Sequence, residues 1–268
     1  MTRASRRPPA YDGRYRGRVA VVTGASAGLG AQLCLDLARA GATVVGLARN
    51  AEHLDALAVT LRVVSPTSRT VVCDVADTGA LRATLAGIAA SDGPIDVLIN
   101  NAALDPGVRL TDITEEDFRR TFDVNFFAPV AAMLAVLPAM VARGAGIIVN
   151  VSSDGGRLPS PGPGAYPSSK AALSALTEST SFRLKTKGVV VHVVYPAFMP
   201  TALGLGALQR GLRRPPRLTI RSVETVSRII LARAGESTLE ISASRVIDAA
   251  MVFRQVLPRA YFWGRKRW

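Results

Sequence analysis

A chain of 268 residues with 49% hydrophobic content can bury one sizeable core, and its net charge of +13 raises the question of a nucleic-acid partner. The positions of the charges argue against that partner. Arg3, Arg6, Arg7, Arg14, Arg16 and Arg18 lie at the start, Arg210, Arg213, Arg214, Arg217 and Arg221 in one later segment, and Arg259, Arg265, Lys266 and Arg267 at the end, so the body between is about neutral.

Residues 1–17 are basic, carry Pro8 and Pro9 and lack the apolar stretch of a secretory signal; they read as a disordered leader, with a transit peptide as the alternative. From Arg18 onward, short apolar runs alternate with amphipathic stretches, a pattern that predicts a parallel sheet covered on both faces. Strands are predicted near 19–23, 43–47, 70–73, 95–99, 147–151 and 189–194. Thr114, followed by Glu115, Glu116 and Asp117, marks the start of a long helix reaching about Ala142, which Pro129 and Pro138 should bend or break. Beyond Pro196 the periodicity fails, and residues 197–222 read as a lid rich in Gly, Pro and Arg. A last strand at 239–242 and a helix carrying Val246, Ile247, Ala250, Met251, Phe253, Val256 and Leu257 lead to an aromatic, basic tail. The fold class is therefore α/β, a doubly wound parallel sheet in one domain (18–243) with a C-terminal helical extension (244–268). Cys34 and Cys73 show neither metal-ligand spacing nor a secreted disulfide pattern, so no metal is expected and a reducing, cytoplasmic setting is. No uninterrupted apolar run reaches the ~18 residues that span a bilayer.

The chemistry concentrates in the stretch from Ser152 to Lys170. The run Gly146-Ile147-Ile148-Val149-Asn150-Val151 reads as a buried strand that delivers Ser153 to its carboxyl end, where open α/β sheets bind ligands. Tyr166 and Lys170 fall one turn apart on the next helix, and so share a face. A free tyrosine titrates at about 10, and a neighbouring cation favours its phenolate. The serine hydroxyl and the phenol could converge on one carbonyl oxygen. Taken alone, Ser153 reads equally as a loop cap and Lys170 as a solvated charge.

A second signal follows the first strand: Thr23-Gly24-Ala25-Ser26-Ala27-Gly28-Leu29-Gly30, opening a helix. Glycines permit a tight turn and close backbone approach, and the helix amino terminus offers N–H groups to a pyrophosphate. With this turn the chain resembles the short-chain dehydrogenase/reductase family in its single-domain, Rossmann-fold branch, over about 18–201.

The resemblance implies a nicotinamide cofactor and a small-molecule carbonyl or alcohol substrate. It assigns Thr23, Gly24, Ser26, Gly28, Leu29 and Gly30 to the cofactor turn, with Arg49 and Asn50 after the second strand, Asp74 and Val75 after the third, and Asn101 and Ala102 in Asn100-Asn101-Ala102-Ala103 after the fourth. Ala103 stands where the family has glycine. Asn125, Ser153, Tyr166 and Lys170 match the four catalytic residues: Ser153 and Tyr166 hold the substrate oxygen, Tyr166 delivers the proton, Lys170 binds the ribose and lowers the phenol's pKa, and Asn125 holds a relay water. Pro196 and Thr201 match the segment that reaches the nicotinamide, with Ala197 replacing the family's glycine. No carboxylate stands at Ala48, where an NAD-preferring relative places one for the ribose 2′-hydroxyl. Arg49 and Ser26 suit a 2′-phosphate, so NADP(H) is expected over NAD(H).

The expected activity is NADPH-dependent reduction of a fairly apolar or biosynthetic ketone, or the reverse oxidation. Two alternatives stand beside it: a membrane-associated lipid or steroid dehydrogenase, and a non-catalytic NADP(H) sensor. Phe198, Met199, Leu203, Leu205 and Leu208 either contact the substrate or pack the lid. Tyr261, Phe262, Trp263 and Trp268 among basic residues either sit on an anionic membrane surface or form a solvated tail beyond a capping helix. A homo-oligomer, dimer or tetramer, is expected from the family, although the glycine-rich C-terminal tail of many tetramers is missing.

Overall fold

The computed structural model describes residues 13–159, 164–210 and 214–265. Most of the predicted leader, four residues between Ser153 and Tyr166, three lid residues including Arg213, and the end of the tail (266–268) lie outside the described residues.

Seven strands form one parallel sheet in the order β3-β2-β1-β4-β5-β6-β7: Val19–Thr23, Thr43–Ala48, Arg69–Val72, Ile95–Asn100, Gly146–Val151, Val189–Tyr195 and Glu240–Ser242 for β1 to β7. Each predicted strand is present, with ends that differ by a residue or two. The strand order reverses between β1 and β4, the place where such sheets open a crevice at their carboxyl ends.

Alternate strand residues face opposite layers. In β1, Ala20 and Val22 meet Leu33 and Leu37 of α1 (Gly28–Arg39) and Val226 and Ile230 of α9 (Val223–Arg233), whereas Val19 and Val21 belong to a second cluster with Leu81, Leu85 and Ile88 of α3 (Thr78–Ser91) and Met133, Val136 and Met140 of α5 (Ala128–Arg143). Helix α2 (Ala51–Val64) adds Leu54, Leu57 and Leu61 to the first cluster. Burying both faces explains why the strands read as continuous apolar runs.

The expected long helix exists as three joined segments. Thr114 caps α4 (Glu115–Phe122) by accepting from Asp117 N at 3.1 Å, residues Asp123–Phe127 form a π-turn, and α5 follows. Pro129 falls in the first turn of α5, where its missing N–H costs least, and Pro138 is accommodated inside the helix. The 29-residue stretch Glu115–Arg143 is long and apolar enough to cross a membrane by composition, yet it is half buried within the fold.

The fold also begins before Arg18, where the leader was expected to end. Tyr15 is fully buried, its hydroxyl donating to Leu231 O at 2.8 Å, and Arg14 donates to Ala232 O and Ala234 O, both at 2.8 Å. After β6, the segment expected to form a lid contains α8 (Ala202–Gln209) and a short 3₁₀ turn (Arg217–Thr219). The C-terminal extension comprises α10 (Arg245–Val256) and α11 (Pro258–Arg265), the latter placing in a helix part of the segment expected as a tail.

Candidate active site

Backbone geometry dominates the turn after β1. Gly28 has φ 55°, the left-handed region, and a Cβ on Gly30 would lie 2.1 Å from Gly24 O. Only hydrogen fits there, and that closeness brings α1's amino terminus against the strand end. Thr23 Oγ1 accepts from Asn101 N at 3.0 Å and Ala102 N at 3.1 Å, while Asn101 Nδ2 donates to Thr23 O at 3.1 Å and Gly24 O at 3.2 Å. The ends of β1 and β4 are thus tied side by side at the crevice. Thr201 meets the same turn, its Cγ2 3.1 Å from where a Gly28 Cβ would stand, and its hydroxyl caps α8 by accepting from Gly204 N at 3.3 Å.

Other predicted cofactor residues line this edge. Leu29, Val75 and Pro196 are buried at this edge. Ser26 is partly exposed in the turn, and Asn50 caps α2, its Oδ1 accepting from His53 N at 2.8 Å. Arg49, half exposed, lies 3.9 Å from Asp74, which Arg120 also approaches at 3.9 Å. Asp74 Oδ1 accepts from Ala76 N at 3.0 Å, fixing the turn after β3. These residues fit a dinucleotide: the turn has a floor that any side chain would fill, and a guanidinium stands at the end of β2 where a carboxylate would exclude a phosphate.

The four predicted catalytic residues converge. Ser153 follows β5, and its Oγ caps α6 (Asp154–Arg157) by accepting from Gly155 N at 3.1 Å, which leaves the O–H to donate. Tyr166 and Lys170 lie in the first two turns of α7 (Ala165–Lys185). Lys170 is buried; its Nζ donates to Val151 O at 2.7 Å and lies 6.0 Å from the centre of the Tyr166 ring. Asn125 occupies the π-turn, whose extra residue per turn aims it inward. It clasps Leu104, donating to Leu104 O at 2.8 Å and accepting from Leu104 N at 2.8 Å, and also donates to Ser169 Oγ at 3.0 Å. Ser169 in turn donates to Tyr166 O at 2.8 Å.

The electrostatics differ from the expectation that Lys170 lowers the phenol's pKa. Burial pushes Tyr166 up to about 12, against an interaction with the Ser153 hydroxyl and reinforced by the carboxylates of Asp105 and Asp154. Burial likewise pulls Lys170 down to about 7. Desolvation is the leading cause in both cases, since it disfavours both charged forms. The phenol is therefore a protonated donor throughout the physiological range.

Two groups at the site carried no readable signal in the sequence. Arg210, at the end of the lid helix, reaches the loop after β4, 3.5 Å from Asp105 Oδ2 and 3.2 Å from Asp105 O. Arg157, at the end of α6, is a buried cation. Its guanidinium lies 3.2 Å from Asp154, 3.4 Å from Glu240 and 3.0 Å from Asp248, and 3.6 Å above the Tyr195 ring.

Sequence comparison agrees with this geometry: the short chain dehydrogenase profile matches residues 18–207. The chain belongs to the short-chain dehydrogenase family. Among its relatives in this family, a Bos taurus protein named dehydrogenase/reductase SDR family member 7B is 31% identical, over 92% of this chain and 80% of its own length. The L-xylulose reductase of Bos taurus is 36% identical over 73% of this chain and 78% of its own. A short-chain dehydrogenase from Streptomyces avermitilis superposes with a TM-score of 0.79 at 27% identity, covering 93% and 97% of the two chains. A metagenomic short-chain oxidoreductase in complex with NADP gives 0.72 at 29% identity, covering 85% and 96%. The doubly wound architecture and an oxidoreductase activity on small-molecule substrates come with the family.

Proposed function

We propose that this protein is an NADPH-dependent reductase of a fairly apolar or biosynthetic ketone, running also as an alcohol dehydrogenase. The observation that carries this reading is the convergence of Ser153, Tyr166, Lys170 and Asn125 at one crevice, with the phenol held protonated. Ser153 and Tyr166 would hold the substrate carbonyl oxygen, and their hydrogen bonds strengthen as negative charge grows on it, which stabilises the transition state over the ground state. Tyr166 is the proton donor. Lys170 binds the nicotinamide ribose, and Asn125 orders a water that returns the proton from solvent.

Thr23, Gly24, Ser26, Gly28, Leu29 and Gly30 would carry the pyrophosphate, Asp74 and Val75 the adenine, and Asn101, Ala102, Pro196 and Thr201 the nicotinamide end. When bound, NADPH supplies the hydride. Arg49 and Ser26 favour a 2′-phosphate, and the absence of a carboxylate at Ala48 removes the usual partner of a 2′-hydroxyl. The NADP complex of the metagenomic relative supports this choice.

The test is cofactor oxidation by parent and Tyr166→Phe protein, with NADPH and NADH in parallel, over ketones graded from small and polar to steroid-sized. We expect an NADPH preference and a loss of turnover of about 10²-fold or more in the variant, with NADPH affinity retained. Turnover near the parent level in the variant would overturn the assignment. Tight NADPH binding with no turnover on any ketone would favour a sensor of NADP(H).

A membrane-associated dehydrogenase is the second reading, favoured by exposed Val256, Leu257, Phe262 and Trp263 beside Arg254 and Arg259 at the C-terminal helices. Co-sedimentation with phosphatidylserine vesicles, but not with neutral ones, would support it; no sedimentation with either would remove it. A homo-oligomer is inferred from exposed Phe127, Leu134 and Phe182 around α5 and α7. Light scattering that gives a monomer at working concentration would refute it.

A further inference from the structure

Ser153 is held at both ends of a very short helix. At the amino end its own Oγ accepts from Gly155 N at 3.1 Å. At the carboxyl end Arg157 anchors α6 to two elements that follow it by more than eighty residues. One guanidinium nitrogen, Nη2, shares its two N–H groups among Asp154 Oδ1 at 3.2 Å, Ser242 Oγ at 3.3 Å and Asp248 Oδ1 at 3.0 Å, and Nη1 donates to Glu240 Oε2 at 3.4 Å. The carbonyl oxygen of Arg157 accepts from Arg254 Nη1. Glu240 and Ser242 belong to β7, and Asp248 and Arg254 to α10. The arginine plane stacks 3.6 Å above Tyr195, at the end of β6, and its Nε is buried without a hydrogen-bond partner.

Burying a guanidinium with one N–H left unpaired is an expensive arrangement for stability alone, since apolar packing commonly does as well, even with its carboxylate partners Glu240 and Asp248 partly exposed. What it supplies is geometry. The planar fork fixes direction, and a lysine cannot reproduce it. The helix it fixes has no room to drift: a Cβ on Gly156 would lie 3.0 Å from Ala171 N and Lys170 C, so α6 rests on α7 at the catalytic lysine. Any shift of α6 therefore changes where the Ser153 hydroxyl points relative to Tyr166.

We propose that Arg157 is a positioning residue for Ser153, and that through Asp248 and Arg254 it makes α10 part of the active-site scaffold. This rests on the reductase reading above. A displacement of a polarising hydroxyl by about 1 Å costs turnover on the order of 10²-fold, while binding of the cofactor at the far turn is untouched.

The experiment is a double-mutant cycle, Arg157→Met with Ser153→Ala, reading kcat, KM and NADPH affinity, joined to deuterium exchange of residues 152–158 in Arg157→Met and Asp248→Asn. Arg157→Met should lower kcat about 10- to 100-fold with little change in NADPH affinity, and should cost less than about twofold once Ser153 is already alanine. Asp248→Asn, a change at a partly exposed carboxylate that leaves the core intact, should speed exchange in 152–158 by about tenfold while the Gly24–Gly30 amides keep their protection. Additive losses across the cycle, or unchanged exchange in both variants, would overturn the proposal. Should the parent reduce no ketone, the reductase reading fails by that result, and the exchange measurement alone decides whether α10 holds the Ser153 turn.

Discussion

The turns after β1 and β5 both close the carboxyl edge of the sheet, and they are held by opposite means. Residues 23–30 are fixed by backbone: a positive φ at Gly28, a carbonyl at Gly24 that tolerates only hydrogen on Gly30, and neutral hydrogen bonds from the adjoining end of β4. Residues 153–157 are fixed by charge, with a buried Arg157 reaching Asp154 and the more exposed Glu240 and Asp248, and buried Lys170 on the neighbouring helix. A turn made of backbone should fail by steric intrusion and ignore pH; a turn made of buried ionisable groups should fail by titration and by loss of distant partners.

The largest expected effect lies at the first turn. Gly30→Ala places a methyl 2.1 Å from Gly24 O, and the forced backbone shift costs about 1–3 kcal/mol. NADPH binding, read by fluorescence titration, should weaken by up to about 100-fold. An affinity within about threefold of the parent would mean that this turn does not carry the cofactor.

The second turn is probed by pH. Lys170 has a folded pKa of about 7 against 10.5 in the unfolded chain, so between those values the unfolded state takes up a proton that the folded state refuses. Stability of the cofactor-free protein should therefore fall as pH drops from about 9 towards 7, at no more than about 1.4 kcal/mol per unit; above about 9 the buried thiols of Cys34 and Cys73, both pushed up by burial, act in the opposite sense. Lys170→Met should flatten that slope in thermal melts between pH 7 and 9. Parallel melting curves for parent and variant would show that the lysine is not desolvated. His192, buried on β6 and pulled down to about 4, acts only below about 6.5 and leaves that window clear.

The smallest effect belongs to the turn after β6, which mixes the two designs. Ala197 has φ 65°, a left-handed conformation that costs a residue with a side chain about 1–2 kcal/mol. Its methyl is also part of the core, worth about 0.8 kcal/mol. Ala197→Gly should leave stability within about 1 kcal/mol of the parent in urea melts. A loss above about 2 kcal/mol would show that the methyl's packing, not the backbone, sets this turn.

The same contrast explains what could be read from the chain. Strands buried on both faces announce themselves as runs such as Val19-Ala20-Val21-Val22, and the backbone-built turn announces itself as spaced glycines. Ser153, Tyr166 and Lys170 were legible because strand end and helix face place them locally. Arg157 was not, since apart from Asp154 its carboxylate partners stand 83 to 91 residues away, and no local pattern marks an arginine that will be buried. Arg210 and Asp105 were hidden for the same reason, being 105 residues apart. The inward aim of Asn125 depends on a π-turn that composition does not reveal. The depressed lysine and raised tyrosine depend on burial depth, which an i, i+4 spacing does not report.

The anchoring of Tyr15 to α9 has a consequence for how the chain is made. Its hydroxyl bonds to Leu231 O across 216 residues, and Arg14 reaches Ala234 O across 220. At about 5–20 residues per second, a ribosome delivers Leu231 on the order of 10 to 40 s after Tyr15 has been polymerised. During that interval the face of β1 that carries Ala20 and Val22 has only α1 to cover it, and the part that α9 will close stays open to chaperones or to neighbouring nascent chains. The last third of the message therefore governs when the first strand becomes safe.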